Sequence, residues 1–436
     1  MVGGMKLRRA LDVVVRIFAA VTLVAVVGGA SACAVLLPVA RDAAGPQATP
    51  PVLGALNDDP VVGDVAAWRD RRAPLLRAAF ETEVYGRMPP AMPVRVLARK
   101  PIPYPALDGL GSMEQLTLAL GEVAQVNVLL MTPTGGGRRP LVLMQSFCGN
   151  RAAVPGWPAE ADLLTPPPGP CLNTTADRLI RLVFGRHANA PPWPEMARRG
   201  YAAASFYAGD IVPDDAAAAT AALARLQPGV PAAERGGAVA AWAWSYSRVL
   251  EALEREPGVD PARTAVWGHS RNGKAALLAA AFDPNIDMVL SHQSGRGGAA
   301  LSRSPRGETV AEITASFPHW FAPQYASHAS REAEMPVDQH QLIALIAPRP
   351  VLLGAARRDA WADPAGAFTA LRGAQPAYAL HGSEGLTQMR LSEPDLGADL
   401  AAFMRAGRHG VHASDWAMFL AFMDSHFATG GHVARP

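Results

Sequence analysis

The sequence predicts the α/β class, with a mostly parallel central sheet covered by helices on both faces. Short apolar, strand-like runs recur along the chain with helical stretches between them, the alternation that parallel sheets require. One such run, Thr264–Trp267, ends in Gly268-His269-Ser270-Arg271-Asn272-Gly273-Lys274, after which an alanine-rich helical run begins at Ala275. Candidate acid and base residues then follow late strands. At 436 residues the chain is long enough to bury a full core.

In chain order, the first element is a targeting segment. Lys6, Arg8, Arg9 and Arg16 precede an apolar run from Ile17 to Val27 and then Ala30-Ser31-Ala32-Cys33. A basic start, a short apolar stretch and an A-x-A-like end describe a secretory signal over 1–32. Cys33 directly after Ala32 also suits a lipoprotein site, with membrane attachment through the acylated cysteine. An uncleaved anchor is the third option, because apolar residues resume at Ala34–Leu37. Each option places the rest of the chain outside the cytoplasm: periplasmic, extracellular or lipid-anchored. Residues 33–57 are Ala- and Pro-rich and read as a flexible tether. The remainder, 58–436, shows no internal repeat or second linker and reads as one catalytic domain. Within it, strands are expected at Pro140–Met144, Ala202–Phe206, Thr264–Trp267, Met288–Leu290, Pro350–Leu353 and Ala377–Leu380. Val239–Leu253 is expected to be helical, since Trp242, Tyr246, Val249 and Leu253 recur at spacings of three and four. That stripe reads as core.

Half the residues are hydrophobic, 18% are charged and the formal net charge is +2. With no basic cluster interleaved with aromatics, nucleic-acid binding is set aside, and a monomer is the expectation. The chain has three cysteines. If Cys33 is lost or acylated, Cys148 and Cys171 form an even pair in an oxidising compartment, and a disulfide between them is expected. Of the eleven histidines, His409 and His412 lie three apart, but no H-E-x-x-H motif or Cys/His cluster accompanies them. No metal and no cofactor are expected.

A serine on a sharp strand-to-helix turn has its hydroxyl exposed and a helix N-terminus behind it, the way the α/β-hydrolase fold presents a nucleophile. The usual G-x-S-x-G spacing would put glycine at 272; here it is Asn272, and the glycine comes one place later. Triad members of that fold follow in the order serine, acid, histidine. Asp359 comes after the Pro350–Leu353 strand, and His409 precedes the helix-like run Asp415–Phe427. A serine hydroxyl is a poor nucleophile until a base takes its proton, which assigns His409 to Ser270. Asp359 would hold the imidazole tautomer and stabilise the imidazolium. His412 and Asp363 are the nearest competitors. Arg271 can offer its backbone N–H and its guanidinium to an oxyanion. Only three of the 40 basic residues are lysines, at 6, 100 and 274. Cations on a helix's first turn oppose its dipole, so Arg271 and Lys274 are better explained by a ligand than by the helix.

These residues resemble the glucuronoyl esterases of carbohydrate esterase family 15, most of all its bacterial branch. Gly268–Lys274 matches their G-[C/H]-S-R-x-G-K motif, including the displaced glycine. The likeness continues through Ser294–Leu301, Arg306–Val310, Phe317–Phe321, Asp338-Gln339-His340, Asp359–Pro364, Arg408-His409 and Asp415-Trp416, with Tyr85-Gly86-Arg87 and Gly209-Asp210 upstream. The resemblance implies an α/β-hydrolase fold. It also implies cleavage of esters between 4-O-methyl-glucuronic acid and lignin alcohols in glucuronoxylan. Ser270 would be nucleophile, His409 base and Arg271 an oxyanion contact, with Lys274, Glu308 and Trp361 on the uronic-acid ring. Many relatives carry the triad acid as a glutamate just before Ser-Gly-x-Gly-Gly. Here that residue is Gln293, which cannot be charged, so the role passes to Asp359 and Gln293 is left to line the pocket as a neutral group. Two other readings remain open: an esterase for acetylated sugars or small esters, and a catalytically idle surface protein that binds polysaccharide.

Overall fold

The computed structural model describes residues 42, 48–54, 60–154 and 184–427. The signal segment, Cys33 and Cys171 lie outside the described residues. A nine-stranded sheet runs through the domain in the order β1-β2-β3-β5-β4-β6-β7-β8-β9. The strands are β1 Val94–Pro101, β2 Gly111–Leu120, β3 Ala124–Pro133, β4 Arg139–Ser146, β5 Ala202–Tyr207, β6 Val259–His269, β7 Met288–His292, β8 Val351–Ala356 and β9 Leu400–Arg405. Strands β5, β4, β6, β7, β8 and β9 pair in parallel, while β1, β2 and β3 are antiparallel to one another and β3 is antiparallel to β5. The fold is the α/β-hydrolase type, as expected.

The parallel strands are buried on both sides, and successive residues feed two different cores. Leu141, Leu143, Val266, Val289, Val351 and Leu353 point into one; Val142, Met144, Trp267, Leu290, Leu352 and Phe403 point into the other. This period of two is the strand geometry itself. The first core is closed by helices α1 Ala73–Phe80, α2 Ala238–Leu253, α3 Arg271–Phe282 and α4 Pro364–Gly373. The second is closed by α5 Ala413–Phe427, whose Trp416 and Phe419 rings lie 5.0 and 6.2 Å from Trp267. The stripe Trp242, Tyr246, Val249 and Leu253 on α2 is core, as its spacing indicates.

Three expectations are corrected. Ala377–Leu380 belongs to a short helix, Gln375–Leu380, that begins with Pro376 in its first turn. A four-residue apolar run carries no periodicity long enough to separate strand from helix. The last strand is instead Leu400–Arg405, paired with β8; it contains no β-branched residue, so its strand identity comes from its neighbour. Third, part of the segment read as tether is docked. Val52 is buried, and the buried Arg72 donates to the Val52 and Pro51 carbonyls at 2.9 and 3.0 Å. His340 and Gln341 reach the Pro50 and Pro51 carbonyls at 2.7 and 3.1 Å. Composition marks such a stretch as weakly structured, but its backbone carbonyls are acceptors that a buried arginine needs. Cys148 is in a disulfide. Among the described residues no helix is long and apolar enough to cross a membrane.

Candidate active site

The site lies at the carboxyl ends of the parallel strands, where this fold class collects its ligands. Ser270 follows β6 directly and has φ 57° and ψ −124°, a strained left-handed conformation for a residue with a Cβ. The turn survives because Ser270 N–H donates to the His292 carbonyl at 2.8 Å and its own carbonyl accepts from Gly273 and Lys274. Glycines allow the crossing. A Cβ at Gly268 would collide with the Asn272 carbonyl, and one at Gly273 would sit 2.9 Å from the Gly268 carbonyl and 3.1 Å from Ser294 Cβ. The displaced glycine therefore has a reason: position 273, not 272, faces β6 and the 294 loop. Asn272 instead sends its amide to the Gln145 carbonyl on β4 at 3.3 Å.

His409 Nδ1 lies 2.7 Å from Asp359 Oδ2. A carboxylate only accepts, so Nδ1 carries the proton and Nε2 is left as an acceptor. Asp359 is 4% exposed, between β8 and α4. The His409 ring lies 4.5 Å from that of His269, the residue before Ser270, so the three expected triad members share one end of the sheet. His269 in turn lies 5.1 Å from His292. Burial first, then the charge of neighbouring groups, pushes both of these imidazoles well below the ordinary histidine value, making a neutral wall under His409. Of the competitors, Asp363 Oδ1 caps a helix through Gly366 N–H at 3.0 Å, and it is His409, not His412, whose imidazole lies on Asp359.

The His409 loop is held from two sides. Val411 N–H donates to the Phe184 carbonyl at 2.7 Å, and the Phe184 ring stands edge-on to His409 at 6.3 Å. Gly410 N–H donates to Gln293 Oε1 at 2.8 Å. Gln293 is 5% exposed and lines the same small pocket as Asp359. The neutral amide thus ties β7 to the histidine loop.

The other expected contacts occupy different depths. Trp361 is 54% exposed, with its ring free at the rim. Its carbonyl accepts the Glu308 N–H at 3.0 Å, which fixes the two residues side by side. Glu308 is largely buried, and burial raises its carboxyl against the pull of the Lys274 ammonium. Lys274 lies deeper, 5% exposed, and donates to the Ser294 and Arg296 carbonyls, both at 2.6 Å. An ammonium has three donors, so one remains. Burial lowers this lysine to about 8, against the opposing charge of Glu308.

Arg271 opens α3, and its N–H has no intrahelical partner. Its guanidinium carbon lies 4.7 Å from the Phe147 ring centre and 5.6 Å from that of Trp242, and Nη1 lies 2.9 Å from Asp214 Oδ2. Asp214, Phe147, Phe184 and Trp320 were not singled out as site residues from the sequence. Asp214 sits in an unremarkable Pro-Asp-Asp stretch before a helix, and only the chain's path brings it to Arg271. A half-buried serine on a strained turn, a histidine held by a buried carboxylate, and the cations Arg271 and Lys274 on the helix that follows the serine can together cleave an ester.

A protein-family model described as glucuronyl esterase of fungi matches residues 230–382. The carbohydrate esterase MZ0003, from an unknown prokaryotic organism, is 33% identical over 398 residues, covering 88% of this chain and 91% of that protein. Among solved structures, a promiscuous CE15 esterase from a marine bacterial metagenome is 32% identical with a TM-score of 0.77, covering 88% of this chain and 98% of that one. A glucuronoyl esterase from Solibacter usitatus is also 32% identical, with a TM-score of 0.75 and coverage of 88% and 99%. The chain belongs to the glucuronoyl esterases of carbohydrate esterase family 15, carboxylic ester hydrolases acting on esters of glucuronic acid.

Proposed function

We propose that this chain is an exported serine esterase that cleaves the ester joining 4-O-methyl-glucuronic acid of glucuronoxylan to a lignin alcohol. The observation that carries the mechanism is the 2.7 Å contact between His409 Nδ1 and the buried Asp359 carboxylate. With Nδ1 protonated, His409 Nε2 takes the proton from Ser270 Oγ as that oxygen bonds to the uronate carbonyl carbon. The carbonyl oxygen becomes an oxyanion, held by the Arg271 N–H and guanidinium. Collapse breaks the bond to the alcohol oxygen, which leaves with the proton from His409. A water then repeats the sequence on the acyl-enzyme: His409 takes its proton, hydroxide adds, and Ser270 leaves reprotonated.

The sugar is recognised by the remaining Lys274 donor, the Glu308 carboxyl and the exposed Trp361 ring over its apolar face. A site with convergent donors and acceptors discriminates strongly against esters that lack the hydroxyls. Export, with or without acylation of Cys33, is read from residues 1–33. The test compares kcat/KM for benzyl glucuronate with that for p-nitrophenyl acetate. The expected result is a preference of at least about 100-fold for the uronate; equal rates would support the small-ester reading. Failure of a serine-directed phosphonate to label Ser270 would support an idle binding protein.

A further inference from the structure

Arg271 faces a physical difficulty. A guanidinium on the first residue of a 12-residue helix is repelled by the helix dipole, and the rotamer entropy of its long side chain favours swinging into water. Something must hold it over the cleft. The two aromatic faces of Phe147 and Trp242 confine it laterally, but stacking leaves rotation within the plane free. The ion pair from Nη1 to Asp214 Oδ2 at 2.9 Å removes that freedom. Among the described residues the guanidinium has no other ion pair, so its remaining N–H groups are left for a ligand.

Asp214 is itself fixed. Its Oδ1 accepts from Trp320 Nε1 at 2.7 Å and lies 2.9 Å from His319 Nε2. Burial alone would raise this carboxyl, but the bonds from His319, Arg271 and Trp320 outweigh it and hold it below its usual value. The carboxylate therefore stays charged beside the arginine. Asp214, Arg271, Tyr207 and Ser146 line one cleft. Trp320 also extends the arrangement to the sugar side, since its ring lies 5.8 Å from Lys274 Nζ.

We infer that Asp214 is a positioning residue for the reaction: through its clamp by His319 and Trp320 it sets the plane of the Arg271 guanidinium over the reacting carbonyl. This rests on the reading of Arg271 as an oxyanion contact. A guanidinium displaced by about 1 Å stabilises the transition state poorly while substrate binding, carried by Lys274, Glu308 and Trp361, persists. Asp214→Ala is therefore expected to lower kcat about 10- to 100-fold with KM within about threefold.

The test is a double-mutant cycle on a glucuronate ester with Asp214→Ala, Arg271→Ala and the pair, folding being checked by thermal melting. If Asp214 acts through Arg271, its removal changes kcat little once Arg271 is gone. Asp214→Asn, which keeps an acceptor for Trp320, serves if the alanine variant does not fold, and is expected to lower kcat in the same direction. A normal kcat for Asp214→Ala alongside a low one for Arg271→Ala overturns the positioning role alone. So does the same fractional loss in both backgrounds, because the effect is then general. A normal kcat for Arg271→Ala overturns the oxyanion reading and this inference with it.

Discussion

Replacing Asp359 by asparagine tests the central assignment with a nearly isosteric change. The carboxylate is 4% exposed and lies 2.7 Å from His409 Nδ1. An amide cannot stabilise the imidazolium that forms as His409 takes the proton; general acid–base catalysis by a positioned side chain contributes about 10²- to 10⁴-fold, and each 1.36 kcal/mol withheld from the transition state is about tenfold in rate. The expected loss in kcat is thus about 10²- to 10⁴-fold. Nearby groups offer little relief. Gln293 is neutral and its oxygen is engaged by Gly410 N–H, and Asp363 is engaged as a helix cap. An amide at 359 can also donate to Nδ1, which stabilises the wrong tautomer and leaves Nε2 protonated and useless as a base. The assay is steady-state turnover of a glucuronate ester at saturating substrate, with thermal melting to show that the fold survives. Turnover within about tenfold of the parent would refute the reasoning and turn attention to Glu308, whose carboxyl burial holds above its usual value.

Lys274 makes a pH prediction of opposite sign for stability and for binding. Its value of about 8 lies below the ordinary 10.5, so between those pH values the unfolded chain binds more protons and this site's contribution to stability rises with pH. The contribution spans about 3 kcal/mol across that window. The neutral amine keeps only two N–H groups, both committed to Ser294 and Arg296 carbonyls, so KM for the uronate should rise as pH passes about 8. Titrating KM in parent and Lys274→Met checks this: a pH-independent KM in the parent contradicts it. Trp361→Ala should raise KM about 10-fold or more and leave the melting temperature within a degree or two, because the ring is 54% exposed and supports no core; unchanged KM would remove it from the sugar site.

Much of the fold was readable because strand runs such as Leu141–Met144 and Met288–Leu290 are buried on both faces, and full burial writes itself as uninterrupted apolar sequence. The turn at Ser270 was readable for a related reason: two glycines and a serine in that order have few other uses. The antiparallel strands β1–β3 were not anticipated. β1 is an edge strand, mostly exposed and carrying Arg95, Arg99 and Lys100, so it lacks the pattern that burial imposes. β9 was hidden in Leu400–Arg405, whose residues suit a helix equally well.

What the chain determined on its own was chemistry that resides in neighbours along the backbone: the strained turn at 270, the cations that follow it, and the order of the candidate serine, acid and base. Only the tertiary structure decided which distant groups serve them. It set Asp359 rather than Asp363 on His409, tied Gln293 to Gly410, gave two of the Lys274 donors to backbone carbonyls and laid Asp214 against Arg271. The reason is that a hydrogen bond acts over about 3 Å, whereas these partners are separated by tens to more than a hundred residues of chain. No local propensity encodes such a distance; it follows from how the sheet orders its strands and which loops that order brings to one edge.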